Sequence, residues 1–323
     1  MRALRVHSFD SDNEIVVDDI PIPQPESGEI RVRVLVCGIS YVDLLLAKGH
    51  YQLRPPLPFI AGIEFSGVVD AIGPDTQTSL KPGDPVCGVR QGAWAEFVCV
   101  PAERVHPVRE GVNAAEAAVT TSAYSTALYA LRERGSLRAG ETLLVLGASG
   151  GVGHAAVQLG RWMGARVVAG ASTQIKRDTA LAAGAHEAID TSTDWKEVLK
   201  KSVAPHGVDV CFDPVGGAAT ETAFRTLGWE GRHLMIGFAT GEIPSIRTNL
   251  PIVKGASLVG VDVRQFGEKR PAKAAALQRE CVTLLNEGAI RPNIRAALPI
   301  ERFAEAVELA SQRSACGRVV FTF

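Results

Sequence analysis

The chain has 323 residues, with 34 Lys and Arg against 35 Asp and Glu, and 46% of its residues are hydrophobic. This near-neutral balance is typical of a globular protein and excludes the basic face that binding to nucleic acid or to an anionic membrane would need. The length predicts two domains, because single hydrophobic cores stop growing at about 250–300 residues.

The N-terminus begins at Met1 with strand-like alternation and shows no signal-peptide pattern, so we expect a cytoplasmic protein. No apolar run is long enough to predict a membrane span. The six cysteines are scattered and none is spaced as CxxC, which argues against a zinc knuckle or a redox dithiol. We expect most of them to be buried as small hydrophobic side chains.

The first 120 or so residues are predicted to be rich in strands. Residues 29–36 alternate charged and apolar side chains before becoming wholly apolar, and residues 61–69 and 92–100 are further strand candidates. Proline and glycine turns, such as Lys81-Pro-Gly-Asp, separate these segments. Short strands with this punctuation indicate a compact, barrel-like β domain.

The pattern changes to an alanine-rich helix from about Asn113 to Leu131, and from Glu141 strands alternate with helices. Strands are predicted at Thr142–Gly147, Arg166–Gly170, Glu187–Asp190, Val208–Asp213, His233–Gly237 and Ser257–Asp262. Helices are predicted at Gly151–Met163, Gln174–Ala183, Asp194–Val203, Ala218–Leu227 and about Ala272 to Asn286. Such alternation predicts an α/β fold with a doubly wound parallel sheet, because parallel strands need crossover helices. A last strand from Gly317 is expected to return to the first domain.

The segment from Leu143 to Ala156 carries the most informative motif. A hydrophobic strand runs into Gly147-Ala-Ser-Gly-Gly-Val-Gly153 and then into an apolar helix. Glycines permit the tight turn and the close approach of a pyrophosphate, and the helix N-terminus offers free N–H groups. The strand–turn–helix context favours a dinucleotide site over a plain glycine-rich turn. The predicted contacts in this turn are Ala148, Ser149, Gly150, Gly151, Val152 and Gly153.

The end of the second strand of this unit indicates which dinucleotide is bound. An acidic residue there would bind the ribose 2′-OH of NAD, but Val167-Val-Ala-Gly-Ala-Ser-Thr-Gln-Ile-Lys-Arg177 contains no carboxylate. Ser172, Lys176 and Arg177 could bind a 2′-phosphate, so the sequence favours NADPH. The alternative is that Lys176 and Arg177 only solvate the start of a helix.

Taken together, these segments resemble the medium-chain dehydrogenase/reductase superfamily, and within it the zinc-free quinone oxidoreductases related to zeta-crystallin. The resemblance covers essentially the whole chain. It implies a GroES-like β-barrel catalytic domain at 1–123 and 264–323, a Rossmann NADPH-binding domain at 124–263, and a ligand between them. The segments that carry it are 38–43, 62–69, 81–84, 92–97, 147–153, 213–217 and 317–320.

The resemblance also bears on metal binding. Zinc-dependent members hold the catalytic metal with a Cys, a His in a Gly-His-Glu motif and a third Cys or Asp. The matching positions here carry Ser40, Ile63 and Ser122, which cannot hold a tetrahedral zinc ion. The four-cysteine zinc lobe is missing as well, so no metal is expected and Lewis-acid alcohol oxidation is not predicted.

Further site residues follow from the resemblance, position by position. It places Thr126 near the nicotinamide, Lys176 at the 2′-phosphate, Phe238 and Val261 along the nicotinamide ribose, and Arg318 where a basic residue reaches the cofactor. Around the acceptor it places Ser40, Asp43 and Tyr51 as candidate catalytic residues. Asp43 could equally be a buried structural residue, and Tyr51 could pack in its loop. Ser40 and Leu45 replace an Asn and a Tyr of the family, which weakens the case for simple benzoquinones.

Three functions remain open at this level. The first is an NADPH:quinone oxidoreductase, in which placement of the acceptor does most of the work. The second is a reductase of activated C=C bonds in an enone, enal or enoyl thioester, which would profit from a positioned proton donor. The third is a non-catalytic NADPH-binding protein. By resemblance we also expect a homodimer, formed through the apolar edge strand Ser257-Leu-Val-Gly-Val.

Overall fold

The structure is a computed structural model that describes residues 1–9, 15–312 and 316–323. The chain divides into two compact units, the first formed by residues 1–122 and 278–323 and the second by residues 123–277. The predicted boundary at 123/124 lies one residue from this division. The sequence predicted that the chain returns to the first domain at residue 264, whereas the first unit resumes at Gln278. Gln278 lies inside a helix that the sequence also predicted.

The strands of the first unit are β1 (Arg2–Val6), β2 (Ile15–Asp19), β3 (Glu29–Ile39), β4 (Phe59–Ile60), β5 (Glu64–Ile72), β6 (Pro85–Val89), β7 (Phe97–Pro101), β8 (Val105–Pro107), β15 (Ile294–Pro299) and β16 (Arg318–Thr322). Those of the second unit are β9 (Thr142–Leu146), β10 (Arg166–Ala171), β11 (Glu187–Asp190), β12 (Val208–Asp213), β13 (Leu227–Met235) and β14 (Ser257–Gly260).

The helices are α1 (Tyr41–Ala47), α2 (Ala114–Ala118), α3 (Thr120–Leu128), α4 (Gly151–Trp162), α5 (Gln174–Ala182), α6 (Trp195–Val198), α7 (Ala218–Phe224), α8 (Asn249–Lys254), α9 (Val263–Lys269), α10 (Pro271–Asn286) and α11 (Phe303–Ser311). π-Helical turns at Tyr129–Arg134 and Leu199–Val203 continue α3 and α6. None of the helices in the described ranges combines the length and the apolar character that a bilayer crossing requires.

The first unit is built from two sheets around one apolar core. β15, β16, β3, β5, β6 and β8 follow one another in the larger sheet, β7 pairs with β3, and β2, β1 and β4 form the smaller sheet. The long strand β3 has its alternate residues buried, as the sequence pattern predicted. The last strand, β16, pairs with β3, so the predicted return of the C-terminus to the first unit is confirmed. At the core, the Trp94 and Phe321 rings meet edge to face, with centroids 5.0 Å apart.

The second unit is a six-stranded parallel sheet in the order β11-β10-β9-β12-β13-β14. The predicted doubly wound sheet is therefore present, with each predicted strand in it. The order reverses between β9 and β12, so their carboxyl ends flank the crevice where ligands of such sheets bind. β14 is the outermost strand on one side.

Two strand predictions in the first unit began too early. Residues 92–96 form a turn, since the N–H groups of Gly92 and Ala93 both donate to the Gly62 carbonyl, and the strand begins only at Phe97. The buried Trp94 indole N–H donates to the Gly38 carbonyl at 2.9 Å, which fixes this turn against β3. The predicted strand at 61–69 likewise begins later, at Glu64.

In the second unit, three predicted element boundaries differ from the observed ones by three residues or more. β13 starts at Leu227, six residues before the predicted start at His233, and its register with β12 shifts between Val208 and Val210. The helix predicted to end at Leu227 therefore ends at Phe224. The helix predicted from Asp194 continues past Val198 only as a π-helical turn.

Candidate functional site

The turn between β9 and α4 contains the glycines that the sequence predicted to lie at a dinucleotide site. Gly147 has a φ of 58°, a left-handed conformation that glycine adopts without strain. A Cβ on Gly153 would lie 2.2 Å from the Gly147 carbonyl oxygen, so the helix can begin this close to the turn only with glycine there. Gly150 caps α4 without a side-chain hydrogen bond, and the first N–H groups of a helix have no intrahelical acceptor. This end of the helix can therefore bind an anion such as a diphosphate.

The predicted residues of this turn lie together at the carboxyl end of β9. Ala148 and Ser149 are buried beneath the turn, Gly150 is exposed, and Gly151 and Val152 are half-buried. Because β9 lies at the point where the strand order reverses, this turn lies at the crevice where ligands of such sheets bind.

The residues after β10 differ in how they are engaged. Ser172 is exposed, and Lys176 is half-buried on the first turn of α5. Arg177 forms an ion pair with Asp190 at the end of β11, with an N–O distance of 2.8 Å, and also donates to the Ala171 carbonyl. Hydrogen bonds from Ser192, with the Arg177 ion pair, hold the pKa of Asp190 below its usual value. The structure thus commits Arg177 to a carboxylate of the next strand, which makes it a weaker candidate for the 2′-phosphate than Lys176.

Sequence reasoning missed the buried carboxylate of Asp213, which organises the ends of β12 and β13. Its Oδ1 accepts the backbone N–H groups of Val215 and Gly216, at 2.9 and 3.0 Å. Its Oδ2 accepts the Thr220 hydroxyl at 2.7 Å and lies 3.0 Å from His233 Nε2. Burial raises the pKa of Asp213, but the bonds from His233 and Thr220 outweigh it and leave the pKa below its ordinary value. The carboxylate is therefore ionised and holds the loop after β12.

A second loop is attached to the first by backbone hydrogen bonds. The Ile236 N–H donates to the Asp213 carbonyl at 2.9 Å, and the Ala239 N–H donates to the Pro214 carbonyl at 3.1 Å. Phe238, predicted beside the nicotinamide ribose, lies in this loop and is partly exposed. The two other predicted residues of this region, Val261 after β14 and Thr126 in α3, are both half-buried.

In the first unit, Ser40 and Asp43 form a capping box at the start of α1. The Asp43 N–H donates to the Ser40 hydroxyl oxygen at 3.1 Å, and the Ser40 N–H donates to Asp43 Oδ2 at 2.7 Å. Ser40 is half-buried, whereas Asp43 has no exposed surface. Tyr51 is half-buried in the loop after α1. Asp43 therefore helps to cap α1, and Ser40 keeps a hydroxyl proton that it can donate.

Next to this cap lies a carboxylate that the sequence singled out only as part of a motif. Glu64 has no exposed surface, and the Arg318 guanidinium donates to its Oε1. Arg318 also donates to the Ile39 carbonyl at 3.0 Å. Burial raises the pKa of Glu64, and the Arg318 charge opposes that rise without cancelling it. Arg318 is thus anchored by Glu64 and by the end of β3.

Comparison with known proteins places these features in a family. Residues 26–110 match the family model of the alcohol dehydrogenase GroES-like domain, and residues 151–279 match that of zinc-binding dehydrogenases. The chain is 34% identical to quinone oxidoreductase-like protein 2 of Rattus norvegicus over 297 residues, covering 91% of this chain and 85% of the relative. It is 31% identical to the quinone oxidoreductase of Sus scrofa, covering 99% and 97% of the two chains.

The chain belongs to the medium-chain dehydrogenase/reductase superfamily, in its quinone oxidoreductase branch. A solved structure agrees: the quinone oxidoreductase of Thermus thermophilus, determined also in complex with NADPH, superposes with a TM-score of 0.84 at 30% identity, covering all of both chains. This membership confirms the predicted fold class, a GroES-like domain with a Rossmann sheet, and the predicted class of enzyme, an oxidoreductase.

The zinc-ligand positions of this superfamily member can be checked in the structure. Ser40 caps α1, and Ile63 precedes the Glu64 that pairs with Arg318. Over residues 1–9, 15–312 and 316–323, no three His, Cys, Asp or Glu side chains are grouped so that they could hold a metal ion.

Proposed function

We propose that this protein is an NADPH-dependent reductase of quinone-like acceptors that works without zinc. The observation that carries the proposal is the glycine turn at Gly147–Gly153, which leaves the N-terminus of α4 open beneath the switch point of the sheet. The absence of a carboxylate in the segment that follows β10 along the chain favours the phosphorylated cofactor.

In this proposal, different residues of the second unit would bind the diphosphate, the 2′-phosphate and the nicotinamide half of the cofactor. The α4 N–H groups would bind the diphosphate, and Ser172 and Lys176 would bind the 2′-phosphate. Thr126, Phe238 and Val261 would border the nicotinamide half. Bound NADPH supplies a hydride. Support comes from the Thermus thermophilus relative, which was solved with NADPH.

The residues of the first unit would orient the acceptor. The hydroxyl groups of Ser40 and Tyr51 are donors for the acceptor oxygen on which negative charge develops. Ser40 and Leu45 depart from the Asn and Tyr of the family, and this departure favours a second candidate, the reduction of a C=C bond conjugated to a carbonyl. Both acceptors need a hydrogen-bond donor at an oxygen, so the same residues serve either.

Zinc independence rests on the chemistry of the side chains. Ser40, Ile63 and Ser122 stand at the positions of the metal ligands, and two hydroxyls with an aliphatic group are not a zinc-binding set. We also place the enzyme in the cytoplasm, because its six cysteines are free thiols, four of them buried, as in proteins of reducing compartments.

The deciding experiment is an assay of NADPH oxidation with chelator-dialysed protein against a panel of quinones and α,β-unsaturated carbonyls. We expect turnover with at least one acceptor, unchanged by chelation. Preference for enones or enoyl thioesters would select the second candidate. Tight NADPH binding without turnover on any acceptor would contradict an enzymatic function, and loss of activity on chelation would contradict zinc independence.

Replacing Lys176 with alanine tests the phosphate assignment. We expect the preference for NADPH over NADH to fall by about 10- to 100-fold, because a charge-assisted bond to the 2′-phosphate contributes about 1.5–3 kcal/mol. The measurement is kcat/KM with each cofactor, and Lys196→Ala, on α6, is the control. An unchanged preference would move the phosphate contact to Ser172 or Arg177.

We further propose that the protein is a homodimer joined through β14. This strand is the outermost of the parallel sheet, and its Leu258 is 47% exposed. Just before it, Ile252 and Val253 of α8 are 82% and 73% exposed. An outermost strand beside exposed apolar side chains is suited to pairing with a second copy.

Leu258→Lys should therefore convert the dimer into a monomer at micromolar concentration, because it brings two like charges together at the centre of a symmetric interface. Mass measured by light scattering after gel filtration would show the change. Leu181→Lys is the matched control, since Leu181 is 41% exposed on α5 and outside the proposed interface. A monomeric wild type, or a dimeric Leu258→Lys variant, would contradict this arrangement.

A further inference from the structure

Two fully buried carboxyl groups of the first unit share a single cation. Asp43 in α1 and Glu64 in β5 have no exposed surface, and Arg318 in β16 is the guanidinium that binds Glu64. Each acid also has one oxygen, Asp43 Oδ1 and Glu64 Oε2, that finds no hydrogen-bond partner in the described part of the chain. Buried carboxylate oxygens without donors are costly, so the pair is poorly suited to carrying two negative charges.

The remaining neighbours do not supply the missing charge. The ionisable groups facing Asp43 are Glu64 from β5, Arg318 from β16 and Cys37 from β3. Burial raises the pKa of the Cys37 thiol, so it stays neutral. Burial raises the pKa of Asp43 to about 7, opposed by hydrogen bonds from Ser40 and by Arg318 and reinforced by Glu64. Since Arg318 is committed to Glu64, Asp43 stays protonated until the pH rises through about 7.

Ser40 is hydrogen-bonded to this buried acid and is itself partly exposed. Its hydroxyl oxygen accepts the Asp43 N–H at 3.1 Å, and Asp43 Oδ2 accepts the Ser40 N–H at 2.7 Å, so the two side chains are adjacent. The Ser40 hydroxyl, beside the carboxyl group, lowers the pKa of Asp43. Ser40 is half-buried, whereas Asp43 is closed off, so a proton that leaves Asp43 for the acceptor would pass through Ser40.

We propose that Asp43 stores the proton that the reduced acceptor takes up, that the Ser40 hydroxyl passes it on, and that Glu64 keeps Asp43 protonated. This inference rests on the proposed function. As the Ser40 O–H bond breaks, its proton forms a new O–H bond on the acceptor's anionic oxygen, and Ser40 takes the Asp43 proton. Asp43 is left as a carboxylate, no oxidation or reduction accompanies this step, and water restores the proton through Ser40 before the next turnover.

The first test needs no turnover. Carboxyl carbon NMR of protein labelled with ¹³C-aspartate should show one resonance that titrates near pH 7 and disappears in Asp43→Asn. In Glu64→Gln the same resonance should titrate at least about one pH unit lower, because a negative charge has been removed from its surroundings. The amide oxygen introduced by Asp43→Asn can still accept the Ser40 N–H, so the cap of α1 is kept. Titration of Asp43 near pH 4 in the wild type would overturn the proposal.

The second test is the pH profile of kcat for acceptor reduction. In the wild type kcat should fall as pH rises through about 7, and in Glu64→Gln the fall should move to lower pH. Asp43→Asn should lose the inflection and at least about tenfold in kcat, Ser40→Ala should match it, and Ser40→Thr should keep the wild-type profile. A wild-type profile in Asp43→Asn would overturn this inference and leave the proposed function standing. No turnover in the wild type would defeat the proposed function, and the NMR titration would still decide where the proton lies.

Discussion

Gly153→Ala should weaken NADPH binding at least about 100-fold, which corresponds to about 2.8 kcal/mol. The added Cβ would stand 2.2 Å from the Gly147 carbonyl oxygen and 3.1 Å from Ala148 Cα, both of them backbone atoms that cannot rotate away. The turn must therefore open, and the N–H groups at the start of α4 would no longer point at the diphosphate. Titration of the protein into NADPH, followed by cofactor fluorescence or calorimetry, measures the change.

The matched control is Gly267→Ala in α9. A Cβ built there has no heavy atom within 4 Å, so cofactor affinity should not change. Stability should rise by about 0.5–1 kcal/mol, because alanine is favoured over glycine inside a helix. If folded Gly153→Ala protein bound NADPH as the wild type does, the glycine turn would not be the diphosphate site.

Asp213→Ala should lower the free energy of unfolding by about 3–5 kcal/mol. The substitution leaves the donors of Val215, Gly216, Thr220 and His233 without their acceptor. All but the half-buried Val215 are buried, and each buried donor left unsatisfied costs about 1–3 kcal/mol, reduced by partial relaxation. The loop after β12 would then lose its anchor. Urea unfolding followed by circular dichroism gives the free energy.

Asp209→Ala, on the same strand, is the comparison for Asp213→Ala. Asp209 is half-buried and its Oδ2 accepts one donor, the Thr142 N–H at 2.7 Å, so its loss should cost about 1 kcal/mol. Equal effects of the two substitutions would show that Asp213 is an ordinary strand residue and not the centre of the two loops.

Much of the second unit could be predicted because its signals are local. Strands such as Thr142–Leu146 are short apolar runs, and the turn Gly147–Gly153 marks both a strand end and a helix start. The capping box was also available as a local pattern, Ser40-x-x-Asp43, since a Ser followed three residues later by an acid is typical of a helix start. The family resemblance adds a predicted catalytic role for the same two residues.

The remaining site features depend on contacts between distant residues. Asp213 meets His233 because the parallel pairing of β12 and β13 sets Cys211 opposite His233, and no spacing in the sequence encodes that register. Glu64 and Arg318 are 254 positions apart and meet because β5 and β16 both pair with β3. Buried charge pairs of this kind leave no periodic pattern, so only the tertiary structure reveals them.

The ion pair between Arg177 and Asp190 has an evolutionary consequence. The register of β10 and β11 sets Asp190 opposite Ala171, beside the position where NAD-specific sheets carry their acid. Arg177 neutralises this carboxylate, so an acid next to the proposed 2′-phosphate site is kept from repelling the phosphate. In the proposed site, loss of Lys176 would only remove an attraction for the 2′-phosphate, whereas loss of Arg177 would expose a repulsion. A single substitution at residue 177 is thus a short route by which a descendant of this enzyme could change its coenzyme.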